Sequence, residues 1–334
     1  MTTPTRDLRV ALGHLAVETG RPTSRDPEPG GNTGRQGRTG ANTGGDSPAI
    51  LAGASSRVGR RQLARLASEL TDRDRTILEF LDDYRFATSG QLARLFAPNF
   101  TGPRSATRQL NRQMTKLETS DLLRRLERRV GGVRAGSSSS IWALTTAGRK
   151  LAHQQGGGLP EVSRARLGEP SISFLDHTLA VTELRVRLAE LTHDGRLASV
   201  HSLPEPACWR RYVGRAGQPA WLKPDLAVVT GTADGFEDHW FIEADRATEN
   251  PARIVTKCRQ YQDYRTTGRE QADTGVFPAV VWVTPDARRR DQLAERLASE
   301  RDIVHGLFHI VALDEFEDAI KNGPQEPESP SDKP

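Results

Sequence analysis

A glycine triplet followed by Leu-Pro, in the segment QQGGGLPE at Gln154–Glu161, divides the chain into two stretches with different residue patterns. Regular structure does not continue through such a segment, because the glycines carry high backbone entropy and the proline lacks an amide donor. Before it lie helical periodicities and two short β-like runs; after it, apolar strands alternate with amphipathic helices. The pattern predicts an α+β protein with folded regions at 57–155 and 170–320, joined by a linker at 156–169. Residues 1–56, which contain RPTSRDPEPGGNTGRQGRTGANTGGDSP, and residues 321–334 have no apolar periodicity. They bury too little surface to offset their ordering entropy, and read as a disordered basic N-terminal segment and a disordered tail.

The chain has 334 residues, 36% of them hydrophobic, with a mean hydropathy of -0.58. It holds no run of ~18 uncharged apolar residues and no basic segment leading into an apolar stretch, so no membrane span or secretory signal is expected. Cys208 and Cys258 lack metal-site spacing. A soluble cytoplasmic protein without a membrane partner is the expectation.

Charge is unevenly placed. Residues 56–155 carry 19 Arg and Lys against 9 Asp and Glu, a net of +10. The whole chain is formally +4, so the rest is −6. A basic region beside a mildly acidic one points to a polyanion-facing domain joined to something else.

In the basic region, VGRRQLARLASEL (58–70) reads as an amphipathic helix. Thr71 and Asp74 then form a cap ahead of the stripe Ile77, Leu78, Leu81; Thr88 and Ser89 offer the next cap ahead of Leu92, Leu95 and Phe96. A third helix is predicted over Pro103–Thr119, then β-like runs at Leu122–Arg129 and Ile141–Leu144, and a short helix after Thr145. Three helices, a hairpin and a closing helix give a winged helix-turn-helix.

Arg104, Arg108, Arg112 and Lys116 recur every four residues on the third helix, while Leu110, Met114 and Leu117 occupy the opposing stripe. One helix is thus predicted to have a buried face and a cationic face. Gln109 and Asn111 flank the row and suit base edges, as Gln and Asn suit adenine in the major groove. Arg124, Arg125, Arg128, Arg129 and Arg134 add cations to the wing. Double-stranded DNA is the expected partner, and a solvated charged helix face is the plainer alternative.

The second region reads as a helix at Ser171–Leu191, strands at Leu197–Leu203, Lys223–Val229 and His239–Asp245, a helix started by Asn250-Pro251, a strand at Ala279–Thr284, a helix at Asp286–Glu300 and a strand at Leu307–Leu313. Pro224-Asp225 opens one strand and Glu243-x-Asp245 closes its neighbour, an order that resembles the PD-(D/E)XK nuclease core. That resemblance implies Asp225, Glu243 and Asp245 as metal ligands and catalytic residues, with Mg²⁺ as the cofactor. Asp245 stands where the motif has Lys; Lys257, on the following helix, is the candidate substitute ammonium and Arg246 another. Glu183 is a candidate further ligand or a salt-bridge partner, and His177 reads as a capping or packing residue. Capping and salt bridging are the alternative for all these carboxylates.

Together the two regions resemble the replication-relaxation family of actinobacterial and other Gram-positive plasmids and integrative elements. The resemblance rests on LTDRDRTILEFL (70–81), ATSGQLARLF (87–96), IWALTTAGRKLA (141–152), FLDHTLAVTELRVRL (174–188), KPDLAVV (223–229) and FIEADRATEN (241–250), with Lys257 and Tyr261 beyond. It implies a DNA-binding accessory or regulatory protein of plasmid or mobile-element replication, maintenance or transfer. It also implies that an acidic residue in place of the motif Lys is a family habit. A homodimer and contacts with other plasmid replication or transfer proteins are compatible associations. The competing functions are an Mg²⁺-dependent endonuclease targeted by the winged domain and a transcriptional repressor. The absence of Walker A, GxSxG and HExxH sequences argues against ATPase, α/β-hydrolase and zincin chemistry.

Overall fold

Local side-chain caps start the second and third helices. In the computed structural model, which describes residues 59–100, 102–130, 139–153 and 170–324, α1 (Arg60–Glu69) is followed by α2 (Asp72–Tyr84). Thr71 Oγ1 accepts from the Asp74 amide at 3.2 Å, and the Asp74 carboxylate accepts from the Thr71 amide at 2.9 Å. This reciprocal pair satisfies two otherwise orphaned helix-end donors. The two-residue strand β1 (Ala87–Thr88) leads into α3 (Ser89–Leu95), where Thr88 and Gln91 repeat the arrangement. Next come α4 (Pro103–Thr119), β2 (Leu123–Val130), β3 (Ser139–Leu144) and α5 (Thr146–His153). Strand β3 lies between β1 and β2, antiparallel to both. Gly148 lets α5 press against β2's entry: a Cβ there would lie 2.0 Å from the Leu122 carbonyl oxygen.

The remaining elements are α6 (Ile172–His193), β4 (Ser199–Pro204), β5 (Arg210–Val213), β6 (Pro219–Leu222), β7 (Leu226–Gly231), β8 (Glu237–Ala244), α7 (Pro251–Arg265), α8 (Arg269–Thr274), β9 (Ala279–Thr284), α9 (Ala287–Ala298), β10 (Phe308–Ala312) and α10 (Phe316–Lys321). Five strands form a mixed sheet in the order β10-β9-β8-β7-β4, parallel from β8 to β10 and antiparallel from β4 to β8. Strands β5 and β6 form a separate hairpin. The protein is thus α+β with a mixed sheet and covering helices. The hairpin β5–β6, α8 and α10 were not anticipated from the sequence; all are short, with six residues or fewer each.

Alternation along the strands feeds two apolar layers. Leu226, Val228, Trp240, Ile242, Val281 and Val283 pack toward one side together with Leu184, Leu188 and Leu191 of α6 and Phe316 of α10. Phe241, Val280 and Trp282 pack toward the other with Ile254, Cys258 and Tyr261 of α7 and Leu293 of α9. The first layer is continuous with the core of the N-terminal region, including Ile77, Leu81, Leu110 and Met114. The halves on either side of the glycine triplet therefore share one core.

Cys208 and Cys258 are buried free thiols. Among the described residues, no helix is long and apolar enough to cross a membrane. The expectations for 1–56, the linker 156–169, Arg134 and the tail from residue 325 lie outside the described residues, and for Arg128 and Arg129 only the backbone is described.

Candidate functional site

Helix α4 has the two faces predicted for it. Ala106, Leu110, Met114 and Leu117 are buried, and a Leu→Ala change at such a site costs about 2–5 kcal/mol. Arg104, Arg108 and Arg112 are exposed on the other side, as are Gln109 and Asn111. Among the described residues, none of these three arginines pairs with a carboxylate. At 1.5 Å rise per residue, the row from Arg104 to Arg112 is about 12 Å long. Gln109 Nε2 donates to Ser105 Oγ at 2.8 Å, one turn back on the same helix.

Lys116 departs from the row. Its Nζ lies 3.1 Å from Oδ2 of Asp74, which is 1% exposed and also accepts from Gln113 Nε2 at 3.0 Å. Burial disfavours the Asp74 charge, but bonds from Gln113, Thr71 and Lys116 prevail and hold its carboxyl below the usual range. The residue that caps α2 therefore also anchors α4. In the hairpin, Arg124 is half-buried; Arg125 pairs with Glu118 at 3.1 Å and lies 4.8 Å over the Trp142 ring.

A second cluster lies at the end of the β7–β8 pair. Leu226 faces Ile242 across the strands, so Asp225 and Glu243 are the next neighbours along. Asp225 Oδ2 accepts from the Ala244 amide at 2.8 Å, and its Oδ1 lies 3.4 Å from His177 Nε2 of α6. Glu243, 1% exposed, accepts from Lys257 Nζ and from Tyr261 Oη, each at 2.5 Å. Lys257 and Tyr261 are one helical turn apart on α7, which lets both reach one carboxylate.

Burial, reinforced by the Asp225 charge, raises the Glu243 carboxyl, with Lys257 opposing. Burial also disfavours the ammonium, yet Glu243 and Asp225 hold Lys257 above its ordinary value. Asp225 is held below the usual carboxylate range against burial, by Lys257 and His177. The hydrogen bond to Asp225 raises His177 above an ordinary histidine.

Asp245 is not part of this cluster. Arg289 Nε of α9 donates to its Oδ2 at 2.7 Å and Nη2 to its Oδ1 at 3.3 Å, within a buried pair. Among the described residues no three His, Cys, Asp or Glu side chains are grouped as a metal site. Asp225, Glu243 and Asp245 are thus not assembled as one set of oxygen ligands of the kind a shared Mg²⁺ takes. Arg289 holds Asp245 in a separate buried pair, and the Lys257 ammonium lies on Glu243. Lys257, the candidate substitute ammonium, pairs with Glu243. Arg246 instead pairs with Asp176 at 2.8 Å, and Glu183 pairs with Arg94 at 2.7 Å and Arg187 at 3.2 Å. Sequence reasoning assigned His177 to capping or packing; its partner lies 48 residues away, beyond any local signal.

The sequence pattern described as replication-relaxation matches residues 78–280, more than half of the chain, from within α2 to the start of β9. The chain belongs to the replication-relaxation family. The matched span takes in α4 and the complete Asp225–Glu243–Lys257–Tyr261 cluster, so both features lie in the family's common region. No curated protein and no solved structure is significantly similar to the chain.

Proposed function

We propose that this replication-relaxation protein binds duplex DNA through α4, in a winged helix-turn-helix made by α2, α3, α4 and the β2–β3 hairpin. In this reading it is a cytoplasmic accessory or regulatory factor in replication, maintenance or transfer of a plasmid or mobile element. The observation that carries the reading is the exposed row Arg104, Arg108, Arg112, backed by a fully buried apolar face on the same helix. An α-helix about 10–12 Å across fits the major groove, which is about 12 Å wide. Arginines on its outward face then neutralise phosphates, and Asn111 and Gln109 lie beside them for base edges. Lys116 contributes mainly by fixing α4 against α2, and Arg125 by joining the hairpin to the end of α4.

The sheet order and the position of Asp225 and Glu243 favour a nuclease-like core of the PD-(D/E)XK kind. We assign that core a structural role in this chain, since its carboxylates are engaged by Lys257, Tyr261, His177 and Arg289. Electrophoretic shift of a mixed-sequence duplex tests the DNA-binding reading: Arg108→Ala/Arg112→Ala is expected to need more protein than the parent for the same shift at low salt. Equal shifts for parent and variant overturn it. Nicking of supercoiled plasmid with Mg²⁺ or Mn²⁺, lost in Glu243→Gln, establishes the nuclease reading instead.

A further inference from the structure

The β5–β6 hairpin has one face anchored and one face bare. Tyr212 and Leu222 point into the core, and the Tyr212 ring lies 5.4 Å from that of Tyr264 on α7. Arg210, on the same inward side, makes two hydrogen bonds to Glu270, at 2.9 and 3.1 Å. The strand period of two sends the intervening residues outward. Arg211 faces Trp221 across the strands, and Val213 faces Pro219. Trp221 is 49% exposed and Val213 62% exposed. A hairpin so firmly seated needs no apolar residues on its outer side for stability.

Cations surround this face. Among the described residues, Arg211 has no carboxylate partner. Arg269 is exposed and donates to the Arg211 carbonyl at 3.1 Å, and Lys223 Nζ lies 4.4 Å over the ring of Trp209. Arg215, at the hairpin turn, pairs with Asp263 at 2.6 Å. The face therefore combines an open aromatic ring with an excess of positive charge.

We infer that the outer face of the β5–β6 hairpin binds single-stranded nucleic acid, with Trp221 stacking on an unpaired base and Arg211 contacting the adjoining phosphate. The charge calls for a polyanion. The choice of nucleic acid rests on the proposed DNA function, while the site is separate from α4. The exposed ring decides between strand states: a duplex hides its base faces in the stack, whereas an unpaired base offers a π-face to any aromatic platform. Such a site would hold a displaced strand while α4 engages the neighbouring duplex.

The test uses the full chain, fluorescently labelled oligothymidylate, and a labelled duplex. Trp221→Ala is expected to weaken oligothymidylate binding about tenfold, with Trp221→Phe retaining most of it. Arg211→Ala is expected to lower the salt dependence of oligothymidylate binding by about 0.7 in log–log slope. Duplex affinity should stay level in all three. The inference is overturned if the parent fails to bind oligothymidylate at low salt, or if Trp221→Ala and Arg211→Ala bind it as the parent does. It is likewise overturned if Trp221→Ala alters only self-association in sedimentation, which gives the face to a second copy of the chain. Loss of duplex binding in Arg108→Ala/Arg112→Ala with oligothymidylate binding intact separates the two sites; no loss there sinks the α4 reading and leaves this one standing.

Discussion

Arg94 on α3 grips Glu190 on α6 through two hydrogen bonds, Nε to Oε1 at 2.8 Å and Nη2 to Oε2 at 2.6 Å, while its Nη1 reaches Glu183 at 2.7 Å. The same helices are joined by Gln91, whose Nε2 donates to the Leu179 carbonyl at 3.0 Å. Helix α3 packs against α4, so the helix assigned to DNA is held against the mixed-sheet region through α3 and α6. A flexible tether between two independent domains would leave no such contacts.

Breaking this junction is expected to loosen α3 and α4 before it unfolds the sheet. Arg94 is 39% exposed, so screening limits the loss for Arg94→Ala to about 1 kcal/mol. Amide exchange should rise in α3 and α4 while β8 and β9 stay protected. Unchanged exchange in α3 would mean that the ion pairs do not hold the junction.

Asp74 is the other anchor of α4. Asp74→Ala removes a cap and leaves the part-buried donors of Thr71 and Gln113 without their acceptor, at an expected cost of about 2 kcal/mol. Because the folded-state pKa lies below the ordinary value of 3.8, this contribution is present above about pH 4 and is lost as pH falls further. Urea unfolding between pH 3 and 7 should show the parent losing this increment and the variant lacking it throughout.

The buried cluster gives a prediction of opposite sign. Lys257→Met leaves Glu243 buried and opposed by Asp225, an arrangement that costs about 3–5 kcal/mol when the charge stays. The Glu243 carboxyl is already raised by burial, and without Lys257 it rises further. A raised pKa means stability lost as pH increases, so Lys257→Met should weaken progressively from pH 6 to pH 9. Adding Glu243→Gln removes the trapped charge, and chemical denaturation should show the double variant more stable than Lys257→Met at pH 9. A double variant no better than the single one would show that Glu243 is not confined as described.

His177 titrates against the same carboxylates. Its folded-state pKa lies above the ordinary 6.5, so the His177–Asp225 pair contributes fully below about pH 6.5 and fades as pH rises through the raised value. NMR titration of the imidazole should move toward the ordinary value in Asp225→Asn. An unmoved titration would mean that Asp225 does not hold the ring.

The helical region was legible because its signals are local. A four-residue spacing set the two faces of α4, and Thr71 with Asp74 three residues later set the start of α2. The strands of the sheet were legible from apolar runs such as Ala279–Thr284. What escaped depends on partners far along the chain. Asp245 meets Arg289, Asp74 meets Lys116 and Asp225 meets His177 only after folding, and each pairing gives a protein partner to a charged group singled out for DNA or metal. The β5–β6 hairpin escaped for a different reason: its four-residue strands are too short for alternation to stand out from the surrounding loops.

Salt titration of duplex affinity bears most directly on the role of α4. Each phosphate contact removed should lower the log–log salt slope by about 0.9. Arg108→Ala/Arg112→Ala should therefore bind more weakly than the parent, with a slope smaller by about 2. A variant with the parent's affinity and the parent's slope would place the DNA elsewhere on the molecule.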